Sequence, residues 1–149
     1  MGASLDHPAV AAFRSFFNAM NSWGAEMIDY DRSFLGGDFD EDVLRRDQAL
    51  QRKNLEAIFE TYCEAGLKAK RLQDAGMSYD PESPDYDLAR ELIVSVVETA
   101  GKVVIETKQT DKTGWRFRYD LIDTGDNWKL RDNKKRASDK NPQWRPDML

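Results

Sequence analysis

Apolar residues in the first part of the chain recur at helical spacing. Between residues 8 and 30 they fall at Val10, Phe13, Phe17, Met20 and Met27, with Phe16, Trp23 and Ile28 widening the stripe. Gaps of this size keep side chains on one face of a helix. Asp6 stands where an N-cap belongs, and Pro8 falls in the first turn. The glycine pair Gly36-Gly37 predicts a break. A second helix is predicted over 40–65, with acids at its start and Leu44, Leu55, Ile58, Phe59 and Tyr62 on its inner face. Gly66 is its expected stop. Residues 73–87 read QDAGMSYDPESPDYD, a long acidic loop.

Beyond that loop the period changes to two. A β-rich run occupies 92–97, and Ala100-Gly101 turns it into a second strand over 103–109. After a turn at 111–114, Trp115, Phe117, Tyr119 and Leu121 alternate with Arg116, Arg118 and Asp120, the pattern of a half-buried antiparallel strand. Thr124-Gly125-Asp126 leads into a last strand over 128–131. The fold class that follows is α+β, two N-terminal helices packed on a curved antiparallel meander sheet. Residues 1–136 are expected to form one domain and 137–149 an irregular tail.

Composition narrows the function. The chain has 149 residues, 40% hydrophobic and 33% charged, enough for one self-sufficient core. Its net charge of −5 argues against nucleic acid or an anionic membrane as partner. No apolar run approaches the ~18 residues of a membrane span, and the first residues lack the basic and apolar regions of a signal peptide. With one cysteine, Cys63, the expected location is the reducing cytoplasm. One histidine, His7, leaves no Cys/His zinc site, and no phosphate loop or dinucleotide fingerprint is present. No cofactor is expected.

Particular segments resemble a family. The stretch LEAIFETYC at 55–63 is similar to the end of the second helix in bacterial immunity proteins of the nuclear-transport-factor-2-like cone, the group paired with Rhs-type polymorphic toxins. The YDPE loop at 79–82 is similar too, as are VVIETKQT at 103–110, WRFRYDL at 115–121 and DNWKL at 126–130. The likeness spans roughly residues 40–136; the basic tail departs from it. The resemblance implies a non-enzymatic cytoplasmic antidote that binds a cognate toxin domain and occludes its active site or substrate groove.

Several residues are candidates for that contact, each with a plainer alternative. Tyr79, Asp80, Glu82, Asp85, Tyr86 and Asp87 form a surface suited to a basic partner, or are simply a solvated loop. Asp38 and Asp40, with Glu41 and Asp42, either touch the partner or serve as charges at a helix N-terminus. Arg116 and Arg118 can grip a partner's carboxylates, or cover a solvated sheet face. Residues 1–127 carry −9, which would complement a basic nuclease toxin; residues 128–149 carry +4, read either as a nucleic-acid contact with Trp144 stacking or as a solvated tail. Trp115, Phe117, Tyr119, Trp128 and Leu130 are core, or line a pocket.

Two rival classes stay open. One is a small-molecule isomerase or dehydratase of the same cone, using a pocket Tyr/Asp pair. Tyr119 and Asp120 point to opposite faces and cannot share a pocket, but Tyr30 and Tyr119 can. The other is a module that dimerises through the open sheet face, so monomer and homodimer are both compatible with the sequence.

Overall fold

Helix α1 (Pro8–Ser33) starts at a histidine. The His7 carbonyl accepts from the Val10 N–H at 2.9 Å, and its Nδ1 accepts from the Ala9 N–H at 3.0 Å. His7 rather than Asp6 therefore caps the helix, its ring nitrogen doing what a side-chain oxygen does elsewhere. With Nδ1 accepting, Nε2–H is left to donate to the Glu98 carboxylate 3.0 Å away. The imidazole also meets the Trp128 ring edge to face at 5.0 Å. A computed structural model of the chain describes residues 5–33, 41–64, 88–110, 114–125, 127–131, 135–138, 140 and 142–146.

Helix α1 buries Ala9, Val10, Phe13, Phe16, Phe17, Met20 and Trp23, as its spacing predicts, while the side chains of Met27 and Ile28 in the same stripe lie outside those described. Helix α2 (Glu41–Tyr62) carries Glu41 and Asp42 in its first turn and buries Leu55 and Phe59. It ends earlier than expected, because Cys63 leaves the helix to pair in parallel with Leu130 and the Glu64 N–H donates to the Leu130 carbonyl at 2.7 Å. Lys129 Nζ donates to the Glu60 carbonyl at 2.9 Å, satisfying one of the helix's last acceptors. The expected stop at Gly66 and the loop at 73–87 lie outside the described residues.

Among the described residues the sheet is antiparallel and has six strands: β1 (Glu91–Thr99), β2 (Lys102–Gln109), β3 (Arg116–Asp123), β4 (Trp128–Leu130), β5 (Lys135–Ala137) and β6 (Arg145–Pro146). The β1–β2 hairpin closes through Ala100 at φ 26° and Gly101 at φ 79°. Two successive positive φ values suit the right-handed strand twist, and glycine supplies the second without steric cost. A bulge between Ile93 and Ser95 turns Val94 outward. A bulge of this kind bends a strand and increases its twist.

The tail differs from the irregular segment expected over 137–149. Strand β3 is eight residues long, and β4 pairs only with its C-terminal end, Leu121 to Asp123. Its N-terminal end would present unpaired backbone groups. Strand β5 pairs there, with Arg116 opposite Ala137 and Arg118 opposite Lys135, after a two-residue shift in register relative to β4. Strand β6 then adds to β5, and Pro146 is tolerated because β6 lies last in the strand order.

One core lies between helices and sheet. Phe13, Phe17 and Phe59 meet Val96, Val103, Ile105, Phe117, Tyr119, Leu121 and Leu130 in a single cluster. Phe13 packs on Phe17 at 4.6 Å and on Tyr119 at 4.8 Å between ring centroids. No helix among the described residues is long and apolar enough to cross a membrane.

Candidate functional site

Alternation along β3 gives the sheet two unlike faces. Phe117, Tyr119 and Leu121 point to the helices, while Arg116, Arg118, Asp120 and Ile122 point away. The register places Lys108 beside Arg116, Glu106 beside Arg118 and Val104 beside Asp120 on the outward side. Arg118 Nε donates to Glu106 Oε1 at 3.1 Å, and Lys102 Nζ lies 3.8 Å from the Asp120 carboxylate. These pairs form a ladder of opposite charges across the outer face.

The tail completes this surface. Trp144, just before β6, lays its ring against both arginines, with the Arg118 guanidinium carbon 4.1 Å and that of Arg116 5.7 Å from its centroid. Arg118 is thus held on two sides, by Glu106 and by the indole. Arg116 is different: its Nε is buried and has no hydrogen-bond partner among the described residues. On the opposite face, Arg136 sits 5.1 Å from the centroid of Trp115.

At the β1 side the outer face turns apolar. Leu92, opposite Lys108, is 51% exposed, Val94 54% and Val97 38%. Across the sheet the surface therefore runs from aliphatic through basic to aromatic.

Of the expected contact residues, Arg116 and Arg118 are brought together here. Tyr79, Asp80, Glu82, Asp85, Tyr86, Asp87, Asp38 and Asp40 lie outside the described residues. Phe117, Tyr119 and Leu130 are core, and Trp115 and Trp128 pack against it half-buried. Tyr119 contacts Phe13 and Phe17, and its hydroxyl donates to Glu91 Oε2 at 2.8 Å inside the core. Among the described residues its hydroxyl's hydrogen-bond partner is Glu91, in a packed and buried setting, and the pairing with Tyr30 falls on a side chain outside those described. Sequence reasoning misses Glu91, which is 4% exposed, because an acid standing just before the apolar run over 92–97 reads as a solvated flank. It also missed the place of Trp144, for which a lone tryptophan in a polar, proline-flanked segment was the available signal.

The profile of the family described as NTF2 fold immunity protein matches residues 9–148. The chain belongs to the NTF2 fold immunity proteins. Curated proteins and solved structures yield no match. The α+β arrangement of this immunity protein agrees with its family's fold, and membership points to a toxin-neutralising, non-enzymatic role. The family match extends through β5 and β6, so the basic tail that departs from the resembling segments is part of the immunity protein's family region.

Proposed function

We propose that this immunity protein binds a cognate toxin domain of the Rhs-type polymorphic class in the cytoplasm and blocks it stoichiometrically, by covering the active site or substrate groove. The observation that carries the reading is the family match over nearly the whole chain. The sequence supports the electrostatic part: residues 1–127 carry −9, and charge of one sign steers an oppositely charged partner into fast encounter. The proposed contacts are the acidic segment with Tyr79, Asp80, Glu82, Asp85, Tyr86 and Asp87, the acids Asp38 and Asp40, and the arginines Arg116 and Arg118.

Affinity capture of the tagged chain from its source cells, with mass spectrometry of what stays bound, is the test. The expected result is one large secreted protein, or its C-terminal fragment, in near-equal amount, lethal when expressed alone and harmless beside this chain. A captured partner whose toxicity the chain leaves unchanged overturns the reading. With that toxin domain in hand, changing Asp80, Glu82, Asp85 and Asp87 to their amides slows association about tenfold at low salt, and the difference shrinks as salt rises. An unaltered association rate removes the acidic segment from the interface.

A further inference from the structure

We infer that the Trp144-backed arginine pair on the outer sheet face is the seat for a carboxylate-bearing segment of the toxin domain, an assignment that rests on the toxin-binding reading and names the chemistry of one contact. Four cations, Lys108, Arg116, Arg118 and Lys135, gather there across three neighbouring strands, and Glu106 is the carboxylate their register sets among them. The chain as a whole is acidic, so this is a patch of opposite sign to the protein that carries it.

The two arginines differ in what they have left to give. Arg118 spends its Nε on Glu106 and its cationic plane on the indole, which fixes the side chain without using its terminal nitrogens. Arg116 leans on the same ring, has no carboxylate within ion-pair distance among the described residues and keeps a buried Nε without an acceptor. A buried guanidinium donor without an acceptor is unfavourable, and two guanidiniums on one indole repel each other. A carboxylate forked onto the terminal nitrogens of Arg116 offsets the second. Tryptophan and arginine together, held rigid beforehand, are also the side chains that dominate binding energy at protein interfaces.

The extent of the patch favours a segment over a single ion. From β2 to β5 it spans two inter-strand spacings, roughly 10 Å. It then continues into the exposed Leu92, Val94 and Val97 on β1. An acidic segment with neighbouring apolar residues fits that sequence of aliphatic, basic and aromatic surface. A nucleic-acid strand is disfavoured by the chain's net charge of −5.

The experiment measures binding of the toxin domain that the wild-type chain neutralises in co-expression, using the full chain and its variants, with a short oligothymidylate as second probe. Arg116→Gln combined with Arg118→Gln weakens toxin binding about 100-fold, mainly through faster dissociation. Lys108→Gln combined with Lys135→Gln, at two exposed positions that leave the arginines in place, slows association about threefold at low salt and not at high salt. Circular dichroism and the thermal midpoint of each variant show that the fold is kept. If the arginine variant is folded and binds the toxin within twofold of wild type, and the lysine variant associates at the wild-type rate, the inference is overturned while the toxin-binding reading stands. Loss of oligothymidylate binding with toxin binding intact overturns it in favour of nucleic acid. If no toxin domain is neutralised by the wild-type chain, both fall together.

Discussion

Residues of β3 one position apart work in different solvents. Tyr119 is 1% exposed and sits among Phe13, Phe17 and Glu91, whereas Arg118 faces outward between Glu106 and Trp144. The inner face is governed by apolar area withdrawn from water and by packing at near-crystalline density, where lost volume is felt directly. On the outer face the charge pairs lie in a high dielectric and contribute little to folding. What they retain is donors, acceptors and aromatic surface for another molecule. One backbone thus separates the residues that hold the fold from those available for recognition, and the separation is testable.

The largest effect is expected inside. Phe17→Ala removes a ring that packs on Phe13 and Tyr119 and should cost about 3–5 kcal/mol in urea denaturation. A loss below about 1 kcal/mol would break the contrast, because the inner face would then tolerate a cavity as easily as the outer face tolerates a charge change. Tyr119→Phe sharpens it at a single polar atom. The ring stays, the donor to Glu91 Oε2 goes, and the cost should be about 1–3 kcal/mol by the same measurement. Glu106→Gln on the outer face should change stability least, within about 0.5 kcal/mol, since its partner Arg118 is 44% exposed and keeps Trp144. If it proves as costly as Tyr119→Phe, the charge ladder is structural and the two faces do not divide the work.

How much of this was legible in the sequence differs by region. The two helices and the inner face of β3 were, because apolar spacing reports burial directly. The stretch over 92–97 was legible only as a strand. Its continuous apolar run does not say which side is buried, and the bulge at Val94 sends Leu92, Val94 and Val97 outward. Strands β5 and β6 were hidden by lysines, arginines and prolines, since an edge pairing is specified by backbone need and not by apolar side chains. His7 reads in the sequence only as a single histidine without zinc-ligand partners, yet Glu98 and Trp128, distant in sequence, hold it in place. Among the candidate contacts, the alternation along β3 placed Arg116 and Arg118 outward correctly. Their association with Trp144 depends on a tertiary pairing that local pattern does not encode.

The short parallel bridge between Cys63 and Leu130 has a bearing on colloidal behaviour. Strand β4 pairs with β3 on one side, and on the other its Leu130 carbonyl accepts from Glu64 as the chain leaves α2. An open strand edge is a template for adding strands from other molecules. The two residues that follow the second helix occupy that template and act as an edge guard, keeping β4 from recruiting a neighbour while the outer face of the sheet stays open for recognition.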